Sequence, residues 1–209
     1  MLFAAGMPVA WLIARAAGLV AFGLLTSSIV LGLLMSTRLL APRRQKSLLG
    51  WHQTLLWLAI CMAALHGGAL LLDPVMHFGV GAVLVPGLAP WRPITVASGV
   101  TAGYLMLALA TSFHVRRRIT QRRWRQLHYA SFGAFGLALG HGLHAGTDLQ
   151  GVAGLVFAGI ALAPVVWLTF VRILTPGRPT PPVPRPKAPS KVEPTRRVRG
   201  REPVVAGRG

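Results

Sequence analysis

Hydrophobic residues along this chain come in long unbroken blocks rather than in amphipathic stripes. Five blocks stand out: Val9–Met35, Leu48–Leu72, Thr95–Phe113, Leu127–Ala145 and Val152–Leu174. Each is close to the roughly 20 apolar residues that carry a helix across a bilayer. Glycine and proline are frequent within them, as membrane helices tolerate. The pattern predicts an all-α integral membrane protein, a bundle of about five transmembrane helices. Asp73–Pro93 (DPVMHFGVGAVLVPGLAPWRP) tempts a sixth span, but Pro86, Pro90 and Pro93 interrupt it, and internal prolines break a helix ladder. This segment is expected to lie on or dip into the outer face as a lid.

Composition agrees: 53% of residues are hydrophobic and only 12% charged, about half the charge of a soluble domain. The N-terminus carries no basic residue before Arg15 and its apolar run continues to Met35, so it reads as a first span rather than a signal peptide.

Charge then orients the bundle. The net charge is +18, which in a soluble protein would suggest nucleic acid. Here the charges sit between and after the apolar blocks, so no nucleic-acid partner is expected. Arg38, Arg43, Arg44 and Lys46 follow the first span; Arg116, Arg117, Arg118, Arg122, Arg123 and Arg125 follow the third; the rest begin at Arg172. In a five-span bundle all lie on one side, and only Arg15 and Arg92 of the 22 Lys and Arg remain. The positive-inside rule places the N-terminus outside and the C-terminus in the cytoplasm. Residues 1–175 form the helical domain in this reading, and 176–209 a disordered Pro/Arg-rich cytoplasmic tail attracted to anionic membrane lipid. The expected location is a bacterial cytoplasmic membrane.

Histidines change the picture most. His52 and His66 lie fourteen residues apart on the second span, and His128 and His141 thirteen apart on the fourth. These spacings rise about 21 and 19.5 Å, so each pair has one member near each membrane face. The two spans run parallel, which sets His52 level with His128 near the inner face and His66 level with His141 near the outer. Each cross-helix pair would hold one haem iron through two imidazoles. No C-x-x-C-H occurs and Cys61 is the single cysteine, so the haem would be b-type, two per chain. Gly67, Gly68, Gly140 and Gly142 beside the outer histidines would leave room for a flat macrocycle. Arg15 and Arg92 are the candidate partners of the outer propionates. One feature fits poorly: fourteen residues fall about 40° short of four turns and thirteen about 140° short. Either the fourth span meets its haems from different sides, or Gly133, Gly136 and Gly140 allow a distortion.

His144 reads as interfacial, and His77 and His114 as loop residues. A metal site at His141 and His144 would have only Asp148 nearby. With four carboxylates in all, two of them in the tail, hydrolytic chemistry is poorly supported. Two readings from other classes compete: a small transporter or channel with path-lining histidines, and a cofactor-free scaffold subunit.

Four stretches, WLIARAAGLVAFGLLTSSIVLGLLMSTR, GWHQTLLWLAICMAALHGGALLLD, GAVLVPGLAPWRP and RRWRQLHYASFGAFGLALGHGLHAGTD, resemble the ferric reductase-like transmembrane family. It comprises ferric reductases, the membrane part of NADPH oxidases and the haem-binding subunit of bacterial methionine sulfoxide reductase systems. The resemblance covers residues 11 to 148. It implies two stacked b-type haems, the inner held by His52 and His128 and the outer by His66 and His141. It also implies electron flow from a cytoplasmic donor to an outer acceptor. No G-x-G-x-x-G on a strand–helix unit follows the last span, so hydride is not taken directly from NAD(P)H. The expected role is an oxidoreductase component dependent on partners: a cytoplasmic flavoprotein or membrane quinol as donor, and an extracytoplasmic flavoprotein or reductase as acceptor. Flavin would enter only through a partner.

Overall fold

The computed structural model describes residues 9–37, 40–74, 76–115, 118–146 and 149–175, and all of its described elements are helical. The tail from residue 176, Asp148, and the loop arginines Arg38, Arg116 and Arg117 lie outside the described residues. Seven helices follow in order: α1 Val9–Ser36, α2 Pro42–Leu71, α3 Val80–Leu84, α4 Pro93–Val115, α5 Gln121–His128, α6 Ala130–Ala145 and α7 Gly151–Leu174. Of these, α1, α2, α4 and α7 are long and apolar enough to cross a membrane.

The fourth expected span departs from expectation. It is divided at Tyr129 into the short polar α5 and the 16-residue α6, whose rise of about 24 Å falls short of a 30 Å hydrocarbon layer by itself. Around the break the backbone tightens: Tyr129 N–H donates to the Gln126 carbonyl and Phe132 N–H to the Tyr129 carbonyl, both three residues back. Such 3₁₀ bonding turns the chain by about 120° per residue instead of 100°. The extra rotation recovers part of the 140° mismatch between His128 and His141. The distortion therefore sits at Tyr129 and not at Gly133, Gly136 or Gly140.

Local chemistry explains the other boundaries. Pro42 opens α2 at a position that needs no N–H, which starts this helix six residues before the apolar run. The side chain of Thr120 accepts from Arg123 N–H and caps α5. Between α2 and α4, His77 and Arg92 both take positive φ, 50° and 45°, and Gly87 takes 92°; such values are uncommon for side-chain-bearing residues and mark a tightly constrained loop.

That loop folds back on the bundle. Val83 of α3 lies against Gly67, where a Cβ would come within 2.9 Å of its Cγ1. Tyr104, about three turns into α4, donates its hydroxyl to the Leu84 carbonyl. A carbonyl left open by the end of a short helix is satisfied by such a donor. Phe78, Ala82 and Ala89 form a small second core under the loop with Leu70 and Val96.

The main core is built around α1, whose buried face (Ala14, Ala17, Ala21, Leu25, Ser28, Leu33) recurs every three to five residues along its length. It packs mainly on α2 and also on α7 and α6. Small residues dominate the closest approaches, Ala59 and Ala134 being fully buried. This is expected where helices associate by close packing and not by expulsion of water. At mid-height Phe22 stacks on Phe135 (centroids 5.6 Å, 20°) and tilts against Phe157 (5.3 Å).

Ala134→Leu should overpack this centre and destabilise the protein by about 1–3 kcal/mol. Leu155→Ala on the exposed face of α7 should leave it within about 0.5 kcal/mol of the parent. Thermal unfolding in detergent distinguishes the two.

Candidate functional site: two stacked histidine pairs

The bundle brings His52 to His128, with ring centroids 6.1 Å apart, and His66 to His141, with centroids 5.9 Å apart. The ring planes cross at 66° and 81°. The pairs lie at two levels because α2 separates its histidines by fourteen residues.

Three of the four rings are held by one repeated device. His66 Nδ1 lies 2.7 Å from the Ala14 carbonyl, His52 Nδ1 2.7 Å from the Ser28 carbonyl, and His141 Nδ1 2.9 Å from the Thr95 carbonyl. A carbonyl only accepts, so each Nδ1 carries the proton and each Nε2 presents a lone pair. Four residues beyond each carbonyl stands a glycine. A Cβ on Gly18 would meet His66 Nδ1 at 3.0 Å, one on Gly32 would meet His52 Cε1 at 3.3 Å, and one on Gly99 would meet His141 Nδ1 at 2.6 Å. The reason is helical geometry. A carbonyl at position i points toward position i+4, so a ring approaching that carbonyl from a neighbouring helix must lie over residue i+4. Any side chain there would bar the approach.

Ser28 adds a second tie to His52. Its hydroxyl donates to the His52 carbonyl at 3.0 Å and lies 3.0 Å from Nδ1. The side chain is fully buried and its hydrogen bonds satisfy it.

His128 is held differently. It stacks on Trp124 of α5 (centroids 5.0 Å, 22°), and its buried Nδ1 has no hydrogen-bond partner among the described residues, as is also true of Trp124 Nε1.

Of the four glycines expected to make room, Gly67 packs against Val83 of the α2–α4 connection, while Gly68, Gly140 and Gly142 adjoin open space, with nothing within 4 Å of a built Cβ. The residues that matter to the rings, Gly18, Gly32 and Gly99, were missed by sequence reasoning. The available signal was a small residue followed four positions later by glycine, in ARAAG, SIVLG and TVASG.

The remaining candidates take these places. Arg15 follows Ala14, whose carbonyl accepts from His66, and lies over the Trp11 ring, 3.9 Å from its centroid. Arg92, one turn before Thr95, donates to the His144 carbonyl and lies over Trp91 at 4.6 Å. Both arginines thus belong to the end of the bundle that holds His66 and His141. His144 is exposed, with Nδ1 2.9 Å from the Gly140 carbonyl of its own helix, and takes no part in the pairs. His114 lies edge-on to Phe113. Among the described residues no three His, Cys, Asp or Glu converge as a metal cage; the grouping is pairwise.

Whether the pairs fit a metal between them can be tested on their separation. With metal–nitrogen bonds of about 2.0–2.1 Å and about 1.1 Å more to each ring centre, two imidazoles on opposite sides of one metal have centroids about 6.2–6.4 Å apart. The separations of 6.1 and 5.9 Å fall within about half an ångström of that span. The Nδ1 protonation that the carbonyls impose is also the one a metal-bound imidazole requires.

Comparisons with protein-family models, curated proteins and solved structures return no match.

Gly99→Ala should destabilise the protein by about 1–3 kcal/mol, because its Cβ would enter the His141 ring. Gly32→Ala, whose Cβ would come 3.3 Å from His52 Cε1, should destabilise less, by about 1 kcal/mol or under, since gained helix propensity offsets part of the crowding. Unfolding curves of the two variants measured side by side give the order.

Proposed function

We propose that this protein is the membrane module of a split oxidoreductase and carries electrons across the bilayer through two stacked b-type haems. The resemblance to the ferric reductase-like transmembrane family and the geometry of the histidines support the same reading. The observation that carries it is the pairing itself: two histidine pairs at two depths, three of the four rings locked with Nε2 as the free lone pair. In water such a pair could be bridged by solvent. In an apolar bundle, two imidazoles paired at this separation are best satisfied by a shared cation.

His52 and His128 would hold one haem and His66 and His141 the other. Haem iron, when bound, supplies a one-electron Fe(III)/Fe(II) couple at each level. The chain's own residues set the conditions for it. The carbonyls of Ser28, Ala14 and Thr95 fix ring orientation and raise the basicity of the opposite nitrogen. His128 lacks this bond, which makes the pair it shares with His52 the electronically distinct one. The apolar helices exclude water. Arg15 and Arg92 stand at the right end of the bundle to receive propionates, each being within one turn of an anchoring carbonyl.

In this reading five spans cross the membrane, with α5 and α6 together making the fourth. The N-terminus is outside and the basic loops and tail are cytoplasmic. Electrons come from a cytoplasmic flavoprotein or a membrane quinol and leave to an extracytoplasmic flavoprotein or reductase.

Haem content and reduced-minus-oxidised spectra of the purified full chain test the assignment. The parent should hold two b-type haems. His66→Ala and His141→Ala should each lose the same haem, and His52→Ala and His128→Ala the other, a difference visible as the same residual spectrum within each pair. Loss of a common haem in His52→Ala and His141→Ala would overturn the pairing. Absence of haem in protein produced with haem supplied would overturn the function.

A further inference from the structure

We infer that the groove between α6 and α7 is a binding site for an anionic phospholipid of the leaflet at the basic end of the bundle. This inference does not depend on the haem assignment.

The groove follows from how α7 is held. This helix packs chiefly on α1 and touches α6 only slightly, and Pro164 lies inside it, where proline removes a backbone bond and bends the helix. What remains between α6 and α7 is an open apolar cavity of about 400 Å³, lined among others by Phe132, Phe135, Leu162, Val166, Thr169 and Ile173. Thr169 is the one residue there with a polar side chain, and its hydroxyl donates to the Val165 carbonyl at 2.7 Å. The groove walls thus suit a hydrocarbon chain and offer no hydrogen bond to a polar head.

Length fits one leaflet. Leu162 to Ile173 rises about 16 Å, half of a hydrocarbon layer of about 30 Å.

The polar groups stand at its mouth. Arg172 donates to the Tyr129 hydroxyl at 3.2 Å and lies 5.5 Å from the centre of that ring. Tyr129 is one turn from Phe132, and Arg172 adjoins Ile173. Tyr129 also closes α5, which carries Arg122, Arg123 and Arg125 in two turns. Among the described residues the one carboxylate is Asp73, at the opposite end of α2. The arginines at the groove mouth therefore have no counter-anion within the described protein. A phosphodiester whose acyl chain occupies the groove would supply it. Basic pockets between helices at a membrane surface bind acidic headgroups on this principle.

Native mass spectrometry of the full chain in mild detergent tests the site, after exchange into dioleoyl phosphatidylglycerol or dioleoyl phosphatidylcholine. The parent should retain phosphatidylglycerol in preference to phosphatidylcholine. Arg172→Gln should lower its retention about fivefold. Val166→Trp, an exposed position where bulk fills the groove without touching the arginines, should lower it likewise while the variant stays folded by circular dichroism. Equal retention in the parent and both variants would show only a diffuse field of arginines and overturn the site. Equal retention of the two lipids would do the same. Displacement of phosphatidylglycerol by an equimolar long-chain quinone, lost in Val166→Trp, would assign the groove to a quinone instead.

Discussion

An imidazole N–H donated to the backbone carbonyl of a neighbouring helix, across a glycine one turn further on, is the interaction on which this architecture rests. It occurs at Ala14 and Gly18, at Ser28 and Gly32, and at Thr95 and Gly99. Each instance ties two helices at closest approach, so it fixes interhelical distance as well as ring orientation. Two of them join α1 to α2, with Gly18 facing His66 and Gly32 facing His52. That pairing sets those helices antiparallel and in register. The third joins α4 to α6. In an apolar bundle, where dispersion is as available from lipid as from protein, such directional bonds are what select one register from several of similar packing.

The device also resolves a conflict between burial and polarity. A histidine ring in a low-dielectric bundle needs partners for both nitrogens. A helix carbonyl retains a second lone pair after its own i+4 bond, so it can accept an imidazole N–H at no cost to the helix. Glycine at i+4 makes that lone pair reachable. The consequence is that one nitrogen of each anchored ring is satisfied by the fold, and each ring stands about 6 Å, centre to centre, from its paired histidine. At three of the four rings the proton is thereby assigned to Nδ1.

His128 shows what happens without the device. Its helix is cut at Tyr129 and its ring lies on Trp124. The two levels of the bundle are consequently unlike: one is anchored by two carbonyls, the other by one. The same break lies at Tyr129, whose hydroxyl accepts from Arg172. A single short 3₁₀ turn therefore adjoins both the asymmetric histidine pair and the basic mouth of the groove between α6 and α7.

Much of this was legible in the chain alone. Apolar blocks of about 20 residues determine where helices form, because the hydrocarbon layer sets their length and every backbone group must be bonded internally. Four long apolar helices lie where those blocks predict, within a few residues at most boundaries. The matched depths of the histidines were also readable, since rise per residue is a local constant and parallel spans follow from counting. Three things were not. The interruption at Tyr129 comes from a few backbone bonds that composition does not encode. The path of α3 depends on Tyr104 and Gly67, which lie on other helices. The glycines that touch the rings are on α1 and α4, not beside the histidines, since a ring's room is made by the helix it presses against. Periodicity and spacing act along one chain segment; contact between segments is decided by packing, and only the tertiary structure contains it.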